Sequence, residues 1–192
     1  MSVVTYYGRV SDAELESMCA SPSGLAQFVD GTLPEERMLY LDKAAPVIAW
    51  LVSPLKRHEQ LHFAAVVNAG SDLENFKQPD FGPEPPFDDL LIPTEGRGPK
   101  KDERLDVGMG PACVIASTEV SKYTGMLSAI GETQLRQQLD FKALDEACLP
   151  VDYWQEEGEQ TFAEYILPLF ERLQAFYSAA AKEKQHVLVW CS

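Results

Sequence analysis

Residues 161–184 read TFAEYILPLFERLQAFYSAAAKEK and are followed at once by HVLVWCS. Phe162, Tyr165, Ile166, Leu169, Phe170, Leu173, Phe176, Tyr177 and Ala180 recur at intervals of three and four, which puts them on one face of a 3.6-residue helix. A helix with so wide an apolar face must be covered along one side. The β-branched and aromatic run at 187–190 predicts a strand, and a sheet containing it can lie beneath the helix. One residue disturbs the pattern: Pro168 has no N–H for the Glu164 carbonyl, so a kink or a first segment ending near Leu167 is expected.

Charge and cysteine usage narrow the class. At 192 residues, 45% hydrophobic and 24% charged, the chain suits one domain, 1–192, with a sizeable core. A formal charge of −14 leaves no surplus of Lys or Arg to replace phosphate counterions, so a nucleic-acid partner is not expected. Much of the excess lies in two stretches. Residues 71–95 hold Asp72, Glu74, Asp80, Glu84, Asp88, Asp89 and Glu95 against Lys77, a net −6. Residues 140–164 hold Asp140, Asp145, Glu146, Asp152, Glu156, Glu157, Glu159 and Glu164 against Lys142, a net −7. Such blocks are commonly solvated faces or loops. Cys19, Cys113, Cys148 and Cys191 form no C-x-x-C pair, and the start MSVVTYYGRV lacks a charged leader with an apolar segment behind it. No apolar run approaches the ~18 residues of a membrane helix, so a cytoplasmic chain without membrane contact is expected.

Along the chain, residues 3–10 (VVTYYGRV) read as a strand, and Ser11 with Glu14 three residues on makes a capping-box pattern for a helix at 12–20. A helical piece is expected at 25–29 and another starting at Pro34. In LYLDKAAPVIAWLV, Asp42 is expected to cap a helix with Pro46 in its first turn, because an unbroken helix from Pro34 would bury Pro46 in its interior at ~3 kcal/mol. Residues 71–104 carry six prolines and little periodicity, which predicts a long acidic loop. Beyond it, 112–116 reads as a strand, Ser117 or Thr118 as the cap of a helix stopped by Gly131, and 132–139 and 140–148 as two short helices. A further strand at 62–67 is suggested by the apolar run FAAVV.

Three motifs point to a family: Leu41-Asp42-Lys43-Ala44, Gly108 with Gly110-Pro111, and Leu135-Arg136 followed by Leu139-Asp140. In their order along the chain, best over 105–192, the sequence resembles the YfbM-like family, small bacterial proteins of unknown function. It departs from that family in having Ala45 and Pro46 after the Asp-Lys-Ala run. The resemblance implies an α+β fold and supplies no reaction. The same class follows from the residues: a small mixed or antiparallel sheet of three to four strands, packed against several helices, with a long C-terminal amphipathic helix and a terminal strand.

Candidate chemistry is sparse. His58-Glu59-Gln60-Leu61-His62 is a literal H-E-x-x-H, which on a helix would let His58 and His62 share one Zn²⁺ with Glu59 as base. The apolar strand-like run directly after it argues against the helix that reading needs. Gly108-Met109-Gly110-Pro111 lacks the Lys-Ser/Thr of a phosphate loop and reads as a turn. Tyr6, Tyr7 and Trp154 are candidates for an aromatic ligand pocket, against the plainer reading of aromatic core. No cofactor is expected, and nothing in the pattern speaks to oligomeric state. The preferred reading is a non-enzymatic cytoplasmic protein of inhibitor or immunity type. Asp72, Glu74, Asp80, Glu84, Asp88, Asp89, Asp152, Glu156 and Glu157 would meet a basic protein. A zinc-dependent hydrolase and a small-molecule binding module are the alternatives.

Overall fold

Alternation along the strands sets the architecture of the computed structural model, which describes residues 5–20, 33–52, 101–106, 111–147, 149 and 154–191. Strand β1 (Thr5–Val10) lies antiparallel to β5 (His186–Cys191), with Tyr7 opposite Val189. Strand β4 (Pro111–Ile115) flanks β5 on its other side, with Cys113 opposite Val189. Two strands form the edges of the described sheet: β2 (Met38–Tyr40) pairs with β1, and β3 (Lys101–Asp106) pairs with β4. The order is β2-β1-β5-β4-β3, antiparallel throughout. The α+β class therefore stands, and the two edge strands bring the described sheet to five. Residues 101–104, expected to end the long loop, instead belong to β3, where pairing with β4 satisfies backbone groups that the residue pattern alone did not assign.

The period of two divides the sheet into faces. Tyr7, Leu39, Cys113, Ile115, Val187 and Val189 enter one buried cluster, while Val10, Leu105, Ala112, Leu188 and Trp190 enter another on the opposite side. Because β5 is covered on both faces, its sequence is a continuous apolar run rather than an alternating one. Helix α1 (Asp12–Cys19) covers the second face through Met18. The first face carries α2 (Ala44–Val52), α3 (Ser117–Ser128), α4 (Glu132–Gln137), α5 (Phe141–Glu146), α6 (Trp154–Thr161) and α7 (Leu167–Lys182).

The capping box forms as its sequence predicts: Glu14 N–H donates to Ser11 Oγ, and Ser11 N–H donates to Glu14 Oε2. Other ends differ. Ala116, not Ser117 or Thr118, is the N-cap of α3, and the Ser117 N–H donates to His186 Nδ1 at 3.3 Å. That bond makes Nδ1 an acceptor, so the ring proton sits on Nε2 and is shared with Asp12 Oδ1 at 2.5 Å. Gly131 does not stop α3, which ends at Ser128. It precedes α4 instead, and its N–H donates to Gln134 Oε1. The carbonyls of Leu127 and Ile130 at the end of α3 accept from the Gln174 side chain of α7. Pro34 precedes a single 3₁₀ turn, Glu35–Arg37, rather than opening an α-helix. Pro46 is the third residue of α2, in its first turn as expected.

The long C-terminal helix does not end near Leu167; it accommodates its proline through a π-helical turn and runs on. Between α6 and α7 the residues Phe162–Ile166 form a π-helical turn, and the Leu167 N–H reaches back five residues to the Phe162 carbonyl. Pro168 then falls in the first turn of α7, where a missing N–H costs little. Beyond the π turn, Leu169, Phe170, Leu173, Phe176, Tyr177 and Ala180 are buried, at about 1.5–3 kcal/mol for each large side chain.

Candidate functional site

Strand β1 places Arg9 two residues after Tyr7, on the face covered by helices, so its side chain enters the body of the protein. Arg9 is only 6% exposed. Its Nη2 donates to the Glu36 carbonyl at 2.9 Å, and its guanidinium stands 5.7 Å from the centre of the Phe176 ring. Its Nη1 lies 3.5 Å from the Glu183 carboxylate, and neither Nε nor Nη1 has a hydrogen-bond partner among the described residues. Arg9 opens onto a groove of about 540 Å³ between β2 and α7, bordered also by Glu35 and Glu36 of the 3₁₀ turn and by Arg172 of α7. Met38, Leu39 and Phe176 supply apolar wall, and Ala175 and Ala179 keep the α7 side low.

Arg37 holds the turn that borders the groove. Its Nε and Nη2 donate to the Arg9 carbonyl, while Nη1 and Nη2 donate to the two Glu14 carboxylate oxygens at 2.9 and 2.7 Å. The paired guanidinium, together with the Ser11 bonds, brings the Glu14 carboxyl down to about 2. Sequence spacing gives no hint of this tie, which joins α1, β1 and the turn.

At the other end of β2 the backbone is strained. Asp42 has φ 49°, the left-handed region that an L side chain enters at a cost. Instead of capping α2, its carboxylate accepts from the Tyr40 hydroxyl (2.9 Å) and the Tyr165 hydroxyl (2.8 Å), and the Tyr165 oxygen accepts from the Lys43 N–H. Tyr165 belongs to the π turn, so this latch fastens that turn of the long helix to the β2–α2 connection. Burial first, and then the Asp42 carboxylate, push the Tyr165 hydroxyl up to about 12. The Asp42 hydrogen bond also raises Tyr40.

The acids of the C-terminal half lie along the helices α4 to α6. Arg136 pairs with Glu132 and with Glu159, Lys142 stands near Glu146, and Asp145 accepts from the Trp154 N–H and the Gln155 side chain. Glu156 and Glu157, in the first turn of α6, are exposed and have no ion pair among the described residues. Their position at a helix N-terminus is itself favourable.

The three aromatic candidates do not meet. Tyr7 is buried beside Phe176 and Tyr177 on the helix side of the sheet. Tyr6 faces the other side, stacked on Trp190 and 4.9 Å from Tyr40. Trp154 is core, stacked on Phe141 with its Nε1 3.5 Å from the Leu149 carbonyl. His58, His62, Asp72, Glu74, Asp80, Glu84, Asp88, Asp89 and Asp152 lie outside the described residues, as do the expected helix at 25–29 and strand at 62–67. Among the described residues no three His, Cys, Asp or Glu side chains are grouped to hold a metal, and no helix is long and apolar enough to cross a membrane.

Residues 1–190 match the family described as a domain of unknown function, DUF1877. The fold is similar to the crystal structure of YfbM, a protein of unknown function from Escherichia coli, with a TM-score of 0.59 and 19% identity over 98% of this chain and 99% of that one. No curated protein matches the sequence.

Proposed function

The chain belongs to the DUF1877 family, whose description names no activity, and we propose on physical grounds that it works by binding a basic protein partner through its acidic surface. The observation that carries this reading is the pair Glu156 and Glu157: exposed, adjacent, and unpaired among the described residues, while the nearby bases Arg136 and Lys142 are already engaged. Two unneutralised carboxylates on a rigid helix, in a chain of net charge −14, give a directional negative field. Such a field raises the encounter rate with a positive patch and repels acidic competitors. Asp72, Glu74, Asp80, Glu84, Asp88 and Asp89 extend the same charge in sequence, and Asp152 lies just before α6. An inhibitor or immunity-type role, in a cytoplasmic setting, is the form of binding this reading favours.

The test is capture from the source cell with three baits: the native chain, a Glu156→Gln/Glu157→Gln variant, and an Asp80→Asn/Glu84→Gln/Asp88→Asn/Asp89→Asn variant. A basic protein retained by the first and depleted with either variant supports the reading. Retention of the same proteins by all three, or of no basic protein, overturns it.

A further inference from the structure

We propose that the groove between β2 and α7 binds a small zwitterion of amino-acid or dipeptide size, its carboxylate held by Arg9 and Arg172 and its ammonium by Glu35 and Glu36. The starting point is the buried cation. Arg9 is almost wholly enclosed, yet two of its nitrogens lack a hydrogen bond among the described residues, an exception among buried polar groups. Its one carboxylate partner among the described residues, Glu183, is 3.5 Å away, against the ~2.7–2.9 Å of a charge-assisted bond. The Glu183 side chain is 51% exposed and free to leave. A ligand carboxylate in the groove would offer the Arg9 guanidinium a closer acceptor than Glu183 does.

The rest of the groove selects the ligand. Arg172 is exposed and without an ion pair among the described residues, and it stands on the same α7 stripe as Ala175 and Ala179. Glu35 and Glu36 are exposed at the opposite rim, and their carboxylates are equally unpaired among the described residues. A simple anion entering would meet those carboxylates, and a simple cation would meet the guanidinium groups. A molecule carrying both charges satisfies both rims. Phe176, Met38 and Leu39 offer apolar surface to a side chain between the charges, and about 540 Å³ lies within the ~300–1,000 Å³ of small-ligand sites.

The experiment is isothermal titration of the full chain with glycyl-leucine, N-acetyl-glycyl-leucine and glycyl-leucinamide. Glycyl-leucine is expected to bind saturably, and each blocked form roughly tenfold or more weakly, because each has lost one charge. Arg172→Ala, a surface change whose folding is checked by circular dichroism, weakens glycyl-leucine roughly tenfold. Glu183→Gln leaves binding unchanged or tightens it, since it removes the competing carboxylate. Absence of saturable heat up to about 10 mM, equal binding of either blocked form, native-like affinity in Arg172→Ala, or weakened binding in Glu183→Gln overturns the proposal.

Discussion

Two glycines in helices should respond to alanine with opposite signs. Gly125 lies in α3 with nothing within 4 Å of the position a Cβ would take. There alanine gains about 0.8–1 kcal/mol of helix propensity and meets no obstacle. Gly158 lies in α6, and a Cβ there would stand 2.5, 2.7 and 2.9 Å from three carbons of the Phe141 ring. Carbon atoms prefer ~3.5–4.0 Å, so the ring must retreat by about 1 Å. It cannot do so freely, because it stacks at 9° on Trp154, itself 1% exposed. Overpacking of this kind costs about 1–3 kcal/mol, or more when the neighbour is pinned. Subtracting the propensity gain leaves about 0–2 kcal/mol, and the pinned ring places Gly158→Ala in the upper half of that range, about 1–2 kcal/mol destabilising. For a chain of this size that lowers the melting temperature by roughly 2–8 °C, while Gly125→Ala raises it by about 2–4 °C. Thermal unfolding followed by far-ultraviolet circular dichroism measures both. If Gly158→Ala melts at or above the native temperature, the account of α5 and α6 packing through Phe141 is wrong.

Three further outcomes follow from single groups. The Tyr177 hydroxyl is buried, has no hydrogen-bond partner among the described residues, and is held well above the usual range by desolvation, so Tyr177→Phe should stabilise the protein by about 1 kcal/mol in urea unfolding, and a loss of stability would contradict this. Tyr165 is raised from 10.0 to about 12, so its neutral form is favoured in the folded state. Its contribution is present below pH 10 and lost as pH rises through 12, about 1 kcal/mol after allowance for solvent screening. Tyr165→Phe should flatten stability across that window, and an unchanged slope counts against the Asp42 latch. Glu14 is lowered from 4.5 to about 2, so its contribution is present above pH 4.5 and lost as pH falls through 2. Glu14→Gln should cost about 1 kcal/mol at neutral pH, with its side chain a third exposed, and shrink the difference from the native chain at pH 2.

The parts of the fold that a local pattern determines were legible in the sequence. The stripe from Phe162 to Ala180 and the Ser11–Glu14 box each depend on residues within a few positions of one another, and both have their expected form; the disturbance before Pro168 was legible in place, but it takes the form of a π turn, Phe162–Ile166, rather than a helix end near Leu167. Pairing is not local. That β5 is the middle strand depends on its hydrogen bonds to β1 and β4, far away in the chain, and a run buried on both faces carries no alternation to reveal its neighbours. Edge strand β2 is three residues long, too short for a period, and β3 reads KDERLD, whose charges suit a loop as well as an edge. Asp42 was legible as a special residue but with the wrong task, because the tyrosines that claim its carboxylate include one at position 165. The groove could have been suspected from one signal: Arg9 sits at an inward position of an otherwise apolar strand, the place where a charge calls for a partner. Its partners at 36, 176 and 183 had no spacing relation to it.

The most direct test of the central claim is the salt dependence of affinity for the basic partner isolated by capture, measured for the native chain and for Glu156→Lys/Glu157→Lys at about 50 and 300 mM salt. Binding through the acidic helix face requires the native affinity to fall roughly tenfold or more between the two conditions, and the charge-reversed chain to be weaker than native at low salt by a comparable factor. Affinity that is indifferent to salt, or unchanged when both glutamates become lysine, would contradict the claim that this face makes the contact.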